Sequence, residues 1–359
     1  MVRRGILAGA GAAAAAGAAL AILAGGTGGD GPDPGLGLVI NTPGPEVTLQ
    51  ELDEAYREAA SAGAGRSNVY MFWNLLEPEP GGYDWEGYDA LMGLNERHGM
   101  RVTLYMSVIN GRTLGPFPDW LGDPGLRSIP GSRLADTLDT VLSRYHIIDS
   151  VIIAAGTDEY FRHREQEIPT YAGLFDEVYG KVKGAHPGVK MGNSFELHNV
   201  LNKNLGGTVS ELSGGDFVAF TYRPTDPLNE INRTPQEAAA DLDMMSGLAP
   251  GRVALFEVSW STAGEAGGSE EDQALFVKEV LSFYTENRDD VEFVTWYRLH
   301  DRPEGSCRIE DPGHDGPITL GNSTFVLQRL EGYICGAGLL GADGAPKPGW
   351  DAFAAGPPL

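Results

Sequence analysis

Cysteine is scarce in this sequence. Cys307 and Cys335 are the only two cysteines in 359 residues, which excludes a scaffold built on several disulfides and a zinc site made of several cysteines. In an oxidising compartment the two thiols can pair. Pairing depends on the distance between their Cα atoms, which the sequence does not give, so a disulfide and two free thiols both remain open.

Basic residues are also few. The chain has 26 lysines and arginines against 50 aspartates and glutamates, and its formal net charge is −24. A surface with this charge repels phosphate backbones and anionic lipid head groups, so nucleic acids and acidic membrane surfaces are not expected as partners. A neutral ligand is expected instead.

The N-terminus differs in composition from the rest of the chain. Arg3 and Arg4 precede an uncharged stretch rich in Ala and Gly, residues 5–24, and a segment rich in Gly and Pro continues to residue 35. This order is typical of a targeting segment, so residues 1–35 are predicted to lie outside the folded domain. No clear A-x-A cleavage site follows, and a signal peptide and an uncleaved membrane anchor both remain open. Either predicts an exported protein, secreted or tethered on the extracytoplasmic side, whose only membrane contact is that anchor.

Apolar runs alternate with amphipathic helical runs through residues 36–359. This alternation predicts parallel β-strands connected by helices. Eight strands are predicted, at residues 35–41, 67–73, 101–107, 150–156, 189–194, 216–222, 252–258 and 291–297. Eight such units in a chain of this length match a (β/α)8 TIM barrel, and no linker-like segment divides them. The sequence therefore predicts one α/β domain with this fold.

Carboxylates stand at the C-terminal ends of two predicted strands. The stretch "SVIIAAGTDEYF", residues 150–161, begins as a buried strand and then reaches Asp158 and Glu159, and "RVALFEVSWST" places Glu257 near the end of the seventh strand. In a (β/α)8 barrel, reactive groups lie at these strand ends. Two carboxylates on opposite walls suit glycoside hydrolysis, which needs no metal and no cofactor. Their separation decides between a retaining and an inverting reaction, and the sequence leaves this open.

Aromatic and polar residues occur at the same strand ends. Flat rings bind the C–H faces of sugars, and amides and carboxylates bind hydroxyl groups. The aromatic candidates are Trp73, Tyr160, Phe161, Tyr222, Trp260, Trp296 and Tyr297. The polar candidates are Asn74, Asn110, Asn193 and Glu196, together with Asp158 beside Glu159. A carbohydrate is therefore the expected ligand.

Other enzyme classes found on this fold lack their characteristic residues here. A Schiff-base aldolase needs a lysine at the C-terminal end of a strand. All the lysines lie elsewhere, at Lys181, Lys183, Lys190, Lys203, Lys278 and Lys347. The loop "STAGEAGGSEED" after the seventh strand is acidic, whereas a phosphate site needs backbone amides and positive charge. The seven histidines are scattered, with no H-x-H or H-E-x-x-H spacing at a strand end, so no metal site is predicted.

Several features together resemble glycoside hydrolase clan A, which includes family 5. The stretch "FWNLLEPEPGGYDW", residues 72–85, is similar to the W-x-x-x-E-P-x-x-G-x-Y-D-W segment after strand two in many members of the clan. The stretch "GLLGADGAPKPGWDAF", residues 338–353, resembles their closing G-L-x-D-x-x-G-x-P-K-P segment, although Gly341 stands where that pattern has Asp. The acids that end strands four and seven, and the Trp of strand eight, also agree with the clan.

The resemblance implies a function and a role for individual residues. It implies a glycosidase that cleaves β-linked oligosaccharides or polysaccharides with retention of configuration. Glu159 corresponds to the acid/base, and Glu257 corresponds to the nucleophile. Tyr222 corresponds to the aromatic residue that hydrogen-bonds the nucleophile, and Trp296 to the platform beneath the sugar.

Two positions depart from the clan. Asp158 stands where the clan usually has an Asn that contacts the sugar 2-hydroxyl, and Arg66 lies at the start of strand two and not at the position of the clan's arginine. The alternative function is therefore an exported carbohydrate-binding barrel without catalysis. The pair of acids on strands four and seven distinguishes the two hypotheses, because a binding module has no need of both.

Overall fold

Eight parallel strands close into a barrel in the computed structural model, which describes residues 32–44, 47–308 and 324–356. The barrel strands are β1 (Asp33–Leu38), β2 (Ala64–Met71), β3 (Arg101–Asn110), β4 (Ile148–Ala155), β5 (Lys190–Glu196), β6 (Phe217–Tyr222), β7 (Arg252–Val258) and β8 (Val291–Trp296). Each strand pairs in parallel with the next, and β1 pairs with β8. The predicted (β/α)8 fold is confirmed.

Helices connect consecutive strands on the outside of the barrel. They are α1 (Leu49–Ser61), α2 (Trp73–Leu76), α3 (Glu86–Arg97), α4 (Gly131–Arg144), α5 (Thr157–Phe161), α6 (Ile168–Ala185), α7 (Leu197–Asn202), α8 (Gly206–Glu211), α9 (Pro235–Met245), α10 (Glu270–Glu286), α11 (Thr324–Cys335) and α12 (Pro348–Ala354). A short strand, Thr113–Leu114, pairs antiparallel with the end of β3. Capping boxes fix the starts of α1 and α9, because Thr48 and Thr234 each accept a bond from the backbone N–H three residues later.

The core has two parts, one inside the barrel and one between the barrel and its helices. The interior part is a small cluster of side chains from alternate positions of the strands, namely Tyr105, Ile152, Phe217, Ala219, Ala254, Phe256 and Phe293. A larger apolar cluster fills the layer between the strands and the helices. The strands are therefore buried on both faces, which explains their continuous apolar sequences.

Arg66 belongs to the N-terminal half of β2, away from the barrel mouth. Its guanidinium is buried and forms two bonds to the carboxylate of Asp149, with N···O distances of 2.6 and 2.9 Å. It also lies over the ring of Phe293, with the guanidinium carbon 4.8 Å from the ring centroid. Arg66 thus neutralises a carboxylate at the closed end of the barrel.

The two cysteines lie after β8. Cys307 and Cys335 form a disulfide with their Cα atoms 5.7 Å apart, which joins the segment after β8 to the end of α11. The predicted targeting segment falls mainly on residues 1–31, which lie outside the described residues, and the barrel begins at Asp33, inside the predicted linker. Among the described residues, no helix is both long enough and apolar enough to cross a membrane.

Candidate active site

A cavity of about 350 Å³ opens at the C-terminal ends of the barrel strands. Its walls are formed by the ends of seven strands, β2 to β8, and by α11. The lining residues are Tyr70, Phe72, Tyr105, Asn110, Gly111, Ala155, Gly156, Glu159, Glu196, Thr221, Arg223, Phe256, Glu257, Ser259, Tyr297, Tyr333 and Ile334. The structure thus brings the two predicted catalytic acids, Glu159 and Glu257, into one cavity.

Glu257 reaches the cavity through an irregularity in β7. Phe220 pairs with Leu255, but the next residue of β6, Thr221, pairs with Glu257, so β7 has one extra residue, Phe256. Side chains of successive strand residues ordinarily point to opposite faces, and an extra residue changes this alternation. Phe256 and Glu257 can therefore both line the same cavity.

Tyr70 holds the carboxyl group of Glu257. The hydroxyl of Tyr70, on β2, donates a hydrogen bond to Glu257 Oε1. Burial, and next the charge of Glu257, raise the pKa of Tyr70 well above its ordinary value, so that Tyr70 keeps the proton it donates. Burial raises the pKa of Glu257 to about 7, while the bond from Tyr70 and the positive charge of Arg223 act in the opposite direction.

The contact with Tyr70 corrects the prediction made for Tyr222. Tyr222 is fully buried and donates its hydroxyl hydrogen bond to Asp241 Oδ2, at 2.6 Å. Asp241 belongs to α9, so the ring of Tyr222 points out of the barrel towards the helices. The neighbours of Tyr222 in sequence, Thr221 and Arg223, face the cavity instead.

Glu159 lies in the short helix α5, which begins directly after β4. The turn into this helix requires a left-handed backbone at Gly156, where φ is 63°, a conformation that favours glycine. The loop after β3 is fixed beside it, since the backbone N–H of Gly111 donates to the carbonyl of Ala155 at 2.8 Å. A Cβ atom at residue 111 would lie 3.4 Å from Glu159 Oε2, so the carboxyl group packs directly against this loop.

Asp158 does not line the central cavity that contains Glu159 and Glu257. Its side chain is only 3% exposed, and Oδ1 accepts a hydrogen bond of 2.8 Å from the backbone N–H of Glu196. Burial is the main cause that raises the pKa of Asp158 to about 7, with smaller contributions from the charges of Glu196 and Glu159. Asp158 therefore connects α5 to the end of β5, and it does not occupy the predicted substrate-binding position in this cavity.

Two of the four polar candidates line the cavity, namely Asn110 and Glu196. Glu196 Oε2 lies 3.3 Å from Arg223 Nη2, which places an ion pair across the ends of β5 and β6. Asn193 is instead buried, accepts a bond of 2.6 Å from Tyr171 and supports the fold. Asn74 lies in α2, outside the cavity lining.

The predicted tryptophans lie outside the cavity. Trp73, Trp260 and Trp296 are fully buried. Trp73 packs edge-on against Phe117 and Trp120, and the other two pack against Phe276 of α10. The residues that line the cavity at these strand ends are the immediate neighbours Phe72, Ser259 and Tyr297. The three tryptophan predictions were thus displaced by one residue, which moves a side chain to the other face of the strand, whereas Tyr297, also predicted, lines the cavity.

Three residues of the site are not predicted from the sequence, because their positions depend on contacts across the barrel. Tyr70 stands three residues before the end of "SNVYMFW", Arg223 follows Tyr222, and Tyr333 belongs to α11. Tyr333 donates to the carbonyl of Ser259 at 2.9 Å and so attaches α11 to the end of β7. The sequence signal for Arg223 is its position beside the aromatic candidate Tyr222, whereas Tyr70 is flanked by Val69 and Met71 and has no such signal.

No group of histidine, cysteine, aspartate and glutamate side chains suited to a metal ion occurs in the described part of the chain. The cavity instead combines two carboxyl groups, Glu159 and Glu257, with a hydroxyl donor, Tyr70, and an arginine, Arg223. Such a set can transfer protons and carry out nucleophilic attack without a metal.

Comparison with solved structures finds similar barrels, and the following examples are described as glycoside hydrolases. GH5_18 from Bifidobacterium longum subsp. longum has a TM-score of 0.62 and 14% sequence identity over 89% of this chain and 77% of its own. GH5_18 from Streptomyces cattleya in complex with GlcNAc has a TM-score of 0.62 and 17% identity over 90% of this chain and 80% of its own.

Xylanase 10B from Thermotoga maritima is also similar, with a TM-score of 0.57 and 15% identity over 89% of this chain and 93% of its own. No protein-family model matches the sequence, and no curated protein matches it. At these identities the similarity concerns the fold, which is the (β/α)8 barrel predicted from the alternation of strands and helices.

Proposed function

We propose that the protein is a retaining glycoside hydrolase that acts on β-linked oligosaccharides or polysaccharides. The observation that carries the proposal is that Glu159 and Glu257, from the ends of β4 and β7, line one cavity at the barrel mouth. The similar solved structures support it, since they are described as glycoside hydrolases and one is bound to GlcNAc. From the predicted targeting segment we also propose that this activity occurs outside the cytoplasm.

In the proposed reaction, Glu159 donates a proton to the glycosidic oxygen while a carboxylate oxygen of Glu257 attacks the anomeric carbon. The bond between that carbon and the oxygen breaks, and the leaving sugar departs with the proton. Glu159, now a carboxylate, then takes a proton from water. The water oxygen attacks the anomeric carbon, and the ester to Glu257 breaks. Two inversions at the same carbon give net retention.

The surroundings of Glu257 fit the role of nucleophile. Its charge must be present before attack and is lost when the ester forms. Tyr70 donates to the carboxylate, and Arg223 lies on the β6 side, so both favour the ionised form against the effect of burial. When the ester hydrolyses, the same two groups stabilise the departing carboxylate.

The alternative of a non-catalytic barrel rested on Asp158. Because Asp158 faces the backbone of β5 and not the cavity, its difference from the clan's Asn does not remove either proposed catalytic carboxyl group. The glycosidase and the non-catalytic barrel would have the same fold, so a measurement of turnover distinguishes them.

A panel of 4-nitrophenyl β-glycosides tests the proposal, with wild type, Glu159→Gln, Glu257→Gln and the control Glu271→Gln, an exposed acid of α10. We expect Glu257→Gln to lose at least about 10³-fold in kcat. Glu159→Gln should lose less activity on 4-nitrophenyl glycosides than on oligosaccharides. The nitrophenolate leaving group needs no protonation, whereas a sugar leaving group does. Equal activity of all four proteins would contradict the proposal. Binding of sugars without any hydrolysis would support the non-catalytic alternative.

A further inference from the structure

Further cavities lie against the carboxyl group of Glu159 on the side that does not contain Glu257. The first is lined by Arg112, Glu159, Arg162, His163 and Arg164. A second is lined by Arg112, Asp158, Glu159, Arg162, Lys203 and Leu205. Glu159 thus lines both the central cavity and these lateral ones; Arg112 and Arg162 line both lateral cavities, and Lys203 lines the second. We refer to Arg112, Arg162 and Lys203 as the cation cluster.

Each member of the cation cluster comes from the loop or helix after a different strand. Arg112 follows Gly111 in the loop after β3, the loop that packs against the carboxyl group of Glu159. Arg162 ends α5, three residues after Glu159, which places the two side chains on the same helical face. Lys203 ends α7, after β5. The ends of adjacent barrel strands converge, so three separate segments supply positive charge to one place.

The cluster is not neutralised by ion pairs. In the described part of the chain, no carboxylate lies within ion-pair distance of these three side chains, all of which are exposed. Lys203 donates one hydrogen bond to Asn199 Oδ1. By contrast, Arg66 and Arg144 are paired with Asp149 and Asp89. In a chain with 50 acidic residues and 26 basic ones, these three cations lie together without a carboxylate at ion-pair distance.

The cations are close enough to repel one another. Burial lowers the pKa of Lys203, and the charge of Arg162 is the next cause. The charges of Asp158 and Glu159 act in the opposite direction, and Arg112 adds a smaller lowering contribution. The acids at the same place are Asp158, Glu159 and, at the edge, Glu165. Burial keeps Asp158 from ionising fully at neutral pH, since its pKa is raised to about 7. The mutual repulsion of the cations would be relieved by a bound anion.

We propose that the cation cluster binds an anionic group, a carboxylate or a sulfate ester, on the sugar that forms the leaving group. This inference rests on the proposed function, in which Glu159 protonates the oxygen between two sugars. The sugar attacked by Glu257 occupies the central cavity, so the sugar on the other side of that oxygen lies towards the cation cluster. The substrate class is therefore an acidic glycan.

This proposal changes the expectation of a neutral ligand. The net charge of −24 describes the whole surface, whereas recognition at short range depends on the charges that face the ligand. Arginine is suited to carboxylates and sulfates because its planar guanidinium can donate two parallel hydrogen bonds.

Binding to an array of immobilised glycans tests the proposal without requiring turnover. The array carries neutral oligosaccharides, oligosaccharides that contain uronic acids, and oligosaccharides with sulfate esters. The protein is Glu257→Gln, compared with the same variant that also carries Arg112→Gln and Arg162→Gln. A matched control adds Arg57→Gln, an exposed arginine of α1 that lines none of these cavities. Unchanged thermal unfolding establishes that each variant is folded.

We expect acidic glycans to be bound, with the uronate and sulfate arms showing which anionic group is preferred. The double arginine replacement should weaken this binding about tenfold, because bonds to charged groups are removed, and Arg57→Gln should not. Raising the sodium chloride concentration from about 0.05 to about 0.5 M should also weaken the binding of acidic glycans, because salt screens the charges. Replacement of both arginines by lysine should restore part of the binding, since the charge is kept.

The outcomes separate this inference from the proposed function. Hydrolysis of neutral glycosides with no preference for acidic glycans would overturn the inference and leave the proposed function in place. Binding of acidic glycans that depends on Arg112 and Arg162, without hydrolysis by the wild type, would support the inference and overturn the proposed function. Binding restricted to neutral glycans, or absence of binding to every glycan, would overturn the inference.

Discussion

The environment of Glu257 sets the conditions under which it can act. Burial favours its protonated form, and Tyr70 and Arg223 favour its ionised form, with the result that its pKa is raised to about 7. A nucleophile in this position is fully ionised only in mildly alkaline solution. The balance at this one residue therefore predicts how activity depends on pH.

Activity should fall as the pH decreases through about 7, because Glu257 then gains a proton and cannot attack. Tyr70→Phe removes the hydrogen bond that opposes the effect of burial, so the pKa of Glu257 should rise further. We expect the acid limb of kcat/KM to move to a pH about one unit higher. Tyr297→Phe, which alters another ring of the same cavity, is the control. An acid limb near pH 4 in wild type and Tyr70→Phe alike would contradict this account.

The buried carboxyl group of Asp158 should make the stability of the protein depend on pH. In the unfolded chain an aspartate ionises near pH 4, whereas in the folded protein the pKa of Asp158 is raised to about 7. Between these values the unfolded state loses its proton first, so wild-type stability should decrease as the pH rises. Asp158→Asn keeps an oxygen that can accept the bond from Glu196 and has no charge to bury.

The free energy of unfolding of Asp158→Asn, relative to wild type, should therefore increase by about 4 kcal/mol between about pH 4 and pH 8. Urea denaturation at several pH values measures this difference. The control is Asp243→Asn, an exposed position of α9. A difference that is independent of pH would show that Asp158 has no raised pKa in the folded protein.

At the scale of a strand, neighbouring residues divide between stability and binding. Trp296 ends β8 facing α10, with its ring centroid 6.0 Å from that of Phe276. The next residue, Tyr297, is partly exposed and lines the cavity. The same division separates Tyr222 from Arg223. It follows from the alternation of side chains along an extended backbone.

Trp296→Ala and Tyr297→Ala should therefore have opposite effects. Trp296→Ala should lower the free energy of unfolding by about 3–5 kcal/mol, because it removes a large side chain from the core. Tyr297→Ala should change stability little and should raise KM, because a cavity wall is lost. Urea denaturation and steady-state kinetics measure the two effects. A large loss of stability from Tyr297→Ala, with unchanged KM, would show that Tyr297 packs in the core and does not line the cavity.

Sequence patterns predicted the elements better than the directions of side chains. The seventh predicted strand, residues 252–258, coincides with β7, Arg252–Val258. The placement of Glu159 and Glu257 at one mouth followed from parallel strands that end together. The predicted side-chain directions of Trp73, Tyr222 and Trp296 were wrong by one residue. Strands that are buried on both faces show no alternation of apolar and polar residues, so the sequence does not indicate which side chains point into the barrel.

At the scale of the whole molecule, the site depends on contacts between distant parts of the chain. Tyr70 of β2 reaches Glu257 of β7, and the cation cluster is assembled from three separate loops. Neither arrangement has a local sequence signature, because closure of the barrel creates it. The total charge of the molecule was likewise a poor guide to the charge beside Glu159, since it sums over the entire surface.

The central claim is that Glu257 forms a covalent bond to the sugar while Glu159 handles the proton. The most direct measurement uses a 2,4-dinitrophenyl 2-deoxy-2-fluoro glycoside of whichever sugar the wild type cleaves, because the fluorine slows hydrolysis of the glycosyl-enzyme more than its formation. Mass spectrometry of the peptides should find one added sugar on Glu257. A sugar on a different residue, or hydrolysis to the inverted anomer without any covalent adduct, would contradict the account.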